Sequence, residues 1–388
     1  MTGSHFLLTL CFGATLLAWL GVSAYVVVGR AAHDLRADRL AGARARASGR
    51  GLSHRALRHV AAAPSLSRDV SLAFALEAAT TIGRSRLVAH AGAHRTERGK
   101  WRRIEALRIL ALVDEAEATP LLERALLADE DVAAATAAIL GGLNSEAAAR
   151  LLAAAIADSN VPDSRLAAHL DSFPLEIPQV VEALATDSSA ARRYWGVSLL
   201  SRYADRPEVR RQLCAAATDR NPNVRAAVAE ALGAAPSDGL EELDALVRDA
   251  AWFVRVRAAR ALGARRSPTL GAAVAPLLAD ESWWVRAAAK DALVSLGQEA
   301  AAAAVLPSLH SADEFARNGA VEVLERVGNV DAVLAEAAAA PYDPRKRRAA
   351  QAIVAASEAA YLAAVERAAP ELQDFLLALV EPVGEAAA

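Results

Sequence analysis

Through the middle of the chain, apolar positions recur at the three- and four-residue spacing of a helix face, and short polar breaks interrupt them at a regular interval. The pattern is clearest in DRNPNVRAAVAEALG (Asp219–Gly233), DAAWFVRVRAARALG (Asp249–Gly263) and DESWWVRAAAKDALV (Asp280–Val294). Each opens on an Asp; a Val follows five residues later, then an Arg, then helical apolar positions and a Leu eight residues after the Val. The copies start 30 and then 31 residues apart, a period that means stacked two-helix units. No unit buries its apolar face until its neighbours cover it. The predicted fold class is therefore all-α: an α-solenoid, or superhelix, of two-helix repeats.

Local chemistry agrees with this register. An Asp at the turn accepts backbone N–H bonds where the second helix begins, and negative charge is favoured at that end. Pro222 suits a first helical turn, because its missing donor has no partner there. Val224, Val228 and Leu232 share one face at four-residue spacing and are the expected inter-repeat core. Gly233 and Gly263 are the expected left-handed residues that end their helices.

Weaker copies extend the pattern. WRRIEALRILALV from Trp101 and DVAAATAAILGGL from Asp131 read as second helices, and DSSAARRYWGVSLLS from Asp187 puts Arg192 and Arg193 at the Val-Arg positions. Asp158 to Phe173 is the loosest copy; beyond Val294 come copies at Ser311, Asp343 and Glu371. The expected count is nine helix pairs from about Pro120 to Pro382.

The N-terminal region differs. Residues 6–29 form an apolar run of 24 residues without formal charge, and about 20 suffice to span a bilayer core. Arg30, Arg36, Arg39, Arg44, Arg46 and Arg50 follow it, a bias that places the C-terminal bulk in the cytoplasm. The alternative is a signal sequence cleaved near Ala24, which leaves a periplasmic or secreted chain. The expected layout is a tail at 1–5, a single-pass transmembrane helix at 6–29 and an Arg/Ala-rich juxtamembrane stalk at 30–64. A helical cap at 65–100, the repeats at 101–382 and a tail at 383–388 complete it.

The unit resembles the HEAT repeat, particularly the short variety of phycobilisome-lyase-like proteins, whose second helix opens with Asp, Pro and Val-Arg and ends in Ala-Leu-Gly. Here those positions are Asp219, Pro222, Val224, Arg225, Leu232 and Gly233, then Asp249, Val254, Arg255, Leu262 and Gly263. Trp252 and Trp283 replace the Pro in the next two copies, and Val294 the Gly. The resemblance implies a structural ladder that bridges adjacent repeats, with Asp219, Asp249 and Asp280 pairing with Arg225, Arg255 and Arg286.

Composition changes this picture little. Hydrophobic content of 54% with 5% aromatic means Ala, Leu and Val, suited to close-packed helices. A net charge of −3 makes no global case for nucleic acid. Cys11 and Cys214 have no metal or redox spacing. No phosphate loop, HExxH or catalytic triad setting is present, and His90 and His94, four apart without an acidic third ligand, read as surface residues. No enzyme activity, cofactor, metal or small-molecule substrate is expected.

The informative positions are those where the copies disagree. Pro222 and Asn223 become Trp252 and Phe253, then Trp283 and Trp284, with Phe315 one copy on. Equivalent positions stack in a solenoid, so these five form a strip along the edge where second helices begin. Two aromatics per copy do not both fit inward, so one row is exposed as a binding hot spot. Arg257 and Arg260 make the adjoining second-helix face basic and suit it to an acidic segment. The expected function is a membrane-anchored scaffold that binds a protein partner through this strip. The alternatives are chromophore handling, as the lyase resemblance implies, and nucleic-acid binding by a basic groove.

Overall fold

A computed structural model describes residues 68–92, 96–143, 145–173, 176–234, 240–266 and 270–380. Among them there is no strand, and 21 α-helices follow one another. The chain divides into two compact units at Leu121/Leu122, each described by itself.

The first unit holds α1 (Arg68–Ile82), α2 (Arg84–Ala91), α3 (Glu97–Val113) and the start of α4 (Glu115–Leu126). Both α1 and α2 pack on α3 around Phe74, Leu87, Leu107 and Leu110. Helix α3 runs through position 100, where the sequence pattern divides cap from repeats.

In the second unit the helices follow in the order α5 (Glu130–Gly141), α6 (Glu146–Ala155), α7 (Asp163–Asp171), α8 (Pro178–Ala185), α9 (Ala190–Leu200), α10 (Pro207–Ala216), α11 (Pro222–Ala234) and α12 (Leu240–Leu246). They continue with α13 (Trp252–Arg265), α14 (Gly271–Val274), α15 (Trp283–Ser295), α16 (Gln298–Val305), α17 (Glu314–Arg326), α18 (Val330–Ala339), α19 (Pro344–Ala356), α20 (Glu358–Arg367) and α21 (Pro370–Val380). From Glu146 to Val380 the described helices group into eight successive pairs, α6 with α7 through α20 with α21. Each second helix from α9 to α17 packs on the next second helix, which is the stacking of a solenoid.

The apolar register accounts for this packing. Val224, Val254 and Val285 are buried two residues into their helices, and Leu232, Leu262 and Leu293 two turns further on. Each such side chain contributes about 1.5–3 kcal/mol on burial. From α8 onward first helices are shorter than their partners; α14 and α16 pass into 3₁₀ turns at Ala275–Ala279 and Leu306–His310, where Pro276 and Pro307 supply no N–H for an α-helical bond.

Two sequence expectations are corrected. Gly233 and Gly263 do not end their helices in the left-handed region; both lie within α11 and α13. They let the next helix approach: a Cβ on Gly233 would lie 2.9 Å from Ala261 Cβ, and one on Gly263 2.7 Å from Ala292 Cα. In α13 the left-handed position belongs to Arg266, with φ 48°.

The second correction concerns the membrane. Among the described residues, no helix is long and apolar enough to cross one, so the single-pass placement is withdrawn. The run at 6–29 on which it rested, the stalk at 30–64, the tails at 1–5 and 383–388, and His94 lie outside the described residues.

Candidate functional site

The turn before each second helix carries the ladder. Asp219, Asp249 and Asp280 each accept, through Oδ1, the N–H two residues on, from Asn221, Ala251 and Ser282, at 2.8 Å in every case. The same carboxylates receive a two-pronged guanidinium from the preceding copy. Arg193 donates Nε and Nη2 to Asp219 at 2.7 and 3.0 Å, Arg225 to Asp249 at 2.6 and 2.8 Å, and Arg255 to Asp280 at 2.7 and 2.8 Å. Each pair thus joins two copies, the arginine reaching forward by one repeat.

Burial alone would raise the Asp219 and Asp249 carboxyls. The hydrogen bonds from Arg193 and Arg225 and from the turn N–H groups, with the charge of those arginines, outweigh it and hold both below the usual carboxylate range. Hydrogen bonding to the carboxylates holds Arg193, Arg225 and Arg255 above the ordinary guanidinium value. The rung at Arg193 follows from the Asp187 offset, six residues, although its neighbour Arg192 competes for the assignment in sequence. Arg192 instead donates to the Ile156 carbonyl at 3.0 Å and pairs with Asp158 at 2.6 Å.

Arg286 departs from the ladder. The next copy has Ser311 at the Asp position, and among the described residues Arg286 makes no ion pair. Its guanidinium carbon instead lies 4.1 Å from the centroid of the Phe315 ring.

The aromatic positions open the second helices. Trp252 and Trp283 are the first residues of α13 and α15, Phe253 and Trp284 the second, and Phe315 is the second of α17. The residue after each pair turns inward as Val254, Val285 or Ala316, which leaves the pair on the outer side of the first turn. Trp252 is 46%, Trp283 59%, Trp284 57% and Phe315 56% exposed, while Phe253 is half-buried. Trp252 meets Phe253 edge to face at 5.9 Å, and Trp283 meets Trp284 at 4.8 Å. Such pairs hold flat apolar surface with little rotamer freedom left to lose on binding.

The basic face read from sequence is largely cancelled. Arg257 is exposed but paired with Glu230 on the preceding second helix. Further along, Asp291 pairs with Arg326 at 2.8 Å, and Lys290 pairs with Glu322. Arg260 alone of the two named arginines has no carboxylate partner among the described residues; it borders a cleft of about 330 Å³ with Glu230 and Arg257. The acids that neutralise this face lie on neighbouring copies, where a window of one repeat does not reveal them.

The HEAT repeats family matches residues 177–245 and 240–325, the stretch that holds the ladder and the strip. No curated protein matches the chain in sequence. Among solved structures, the chain is similar to the CpcE–CpcF complex of phycocyanin lyase from Nostoc sp. PCC7120, at 18% identity and TM-score 0.33, over 53% of this chain and 96% of that one. It is also similar to the Kap95:Nup1 complex, at 14% identity and TM-score 0.46, over 84% of this chain and 55% of that one. An engineered protein aligns with 85% of this chain and 98% of its own, at 16% identity and TM-score 0.32. Likenesses this distant carry no argument about what this chain binds.

Proposed function

We propose that this protein is a non-enzymatic scaffold of HEAT repeats that binds a protein partner through the edge formed by Trp252, Phe253, Trp283, Trp284 and Phe315. The observation that carries the reading is that adjacent copies each place an aromatic pair at the outer side of the first helical turn, with four of the five rings about half exposed. The solenoid's own packing covers only about half of each exposed ring, whereas large rigid aromatics in a contiguous strip are the usual anchors of protein interfaces. The partner contributes apolar side chains that cover the rings.

Replacing Trp252, Trp283 and Trp284 together by Ala tests this reading, with affinity for the partner recovered by cross-linking measured alongside far-UV circular dichroism. Loss of a single hot-spot ring, at about 2 kcal/mol, already weakens capture about thirtyfold, so the triple variant loses at least that much while helical content stays at the wild-type level. Unchanged capture removes the strip as the site.

A further inference from the structure

We infer that Arg286 is a receptor for one carboxylate of the partner segment, seated beside Trp283, Trp284 and Phe315; this deepens the scaffold reading and rests on it. Five arginines occupy equivalent positions in successive copies: Arg193, Arg225, Arg255, Arg286 and Arg317. In all five, Nη1 donates to the backbone carbonyl six residues earlier, at 3.0, 2.8, 2.8, 2.7 and 2.9 Å. That bond fixes the guanidinium in the same place in every copy. In the first three, the remaining Nε–Nη2 edge holds both oxygens of the next copy's Asp. The protein thus shows three times what this edge binds.

At Arg286 the next copy offers Ser311 instead. Its Oγ accepts the Asp313 N–H at 3.1 Å, so the turn keeps its cap, but a hydroxyl brings no negative charge. The Phe315 ring, 4.1 Å away, steadies the guanidinium without supplying an acceptor for Nε or Nη2. The result is a pre-positioned fork among exposed tryptophans whose geometry matches a carboxylate. Arg317 also meets no carboxylate among the described residues, but no ring is stacked on it.

Neighbouring charges narrow the ligand. Glu281, Asp313 and Glu314 are exposed on the same edge; Glu281 lies 3.6 Å from Arg255, and Asp313 accepts the Ala316 N–H at 2.8 Å. They oppose a run of acids, while a contact at hydrogen-bond distance outweighs their screened repulsion of one. The fitting occupant is a single Asp or Glu side chain, or a chain terminus, flanked by apolar residues that cover the tryptophans.

The test is fluorescence anisotropy of labelled peptides with the full chain. The probes are acetyl-Phe-Leu-Asp-Phe-Leu-amide, its Asn counterpart and a peptide of five consecutive Asp. The single-acid peptide is expected to bind about tenfold more tightly than the Asn peptide, as for a hydrogen bond to a charged group, and the all-Asp peptide more weakly than either. Ser311→Asp, which gives Arg286 the internal partner its counterparts have, is expected to abolish the preference and raise Tm; Arg286→Gln abolishes the preference as well. Equal affinity for the Asp and Asn peptides, a preference that survives Ser311→Asp, or no saturable binding overturns the inference. If the peptides bind equally and Trp283→Ala with Trp284→Ala still abolishes binding, the fork falls and the aromatic edge stands. If the tryptophan variants also leave partner capture unchanged, the edge itself falls.

Discussion

Gly263 sits in the last turn of its helix with the backbone of the next second helix against it, and Gly233 repeats the arrangement one copy earlier. Read alone, Ala-Leu-Gly looks like a helix end, because glycine is the common left-handed cap. The true constraint comes from Ala261 and Ala292, on other copies, and becomes visible only when the copies are stacked. Gly263→Ala should therefore destabilise through crowding against main chain, by about 1–3 kcal/mol, seen as a lower urea midpoint with an unchanged m value. Val294, which stands at this position one copy on, shows that the requirement is local to a neighbour's approach and is not a rule of the repeat. The same reason hid the fork of Arg286: its meaning lies in Ser311, which is unremarkable by itself.

At the scale of the element, the second helix is the part most legible in sequence. Asp, Val, Arg and Leu recur at fixed offsets because each makes a contact that recurs between copies: a turn cap, a core position, a rung that ends at Arg255, and a second core position. What sequence did not disclose is the direction of the rungs and the neutralisation of Arg257 by Glu230, since both join residues on different copies. The rungs make a pH prediction. The folded-state carboxyls of Asp219 and Asp249 lie below their unfolded values, so their stabilisation is fully present above the ordinary carboxylate pKa of about 3.9 and disappears as pH falls through the lower folded values. In urea unfolding from pH 7 down to about pH 2.5, Asp249→Asn should be less stable than wild type at pH 7, and the gap should narrow steadily below about pH 4. A gap independent of pH contradicts the assignment of the rung as an ion pair.

For the molecule as a whole, an all-helical chain with repeats in the second unit was legible from periodicity alone, because helical spacing and a constant repeat length are local properties. The expected membrane span was not supported by any described helix, and the residues on which it was placed lie outside those described. Function was legible only in outline, since a repeat specifies its own stacking first and reveals a partner only where copies diverge. The central claim is that the diverging edge, and not the first-helix side, meets the partner. The most direct measurement places the photo-reactive p-benzoylphenylalanine at position 283 or, as a control, at the exposed position 241 of α12, and compares the adducts formed in cells. The account predicts one discrete protein adduct from position 283, lost when Trp252 and Trp284 are replaced by Ala, and none from position 241. An equal or stronger adduct with the same protein from position 241 would contradict it.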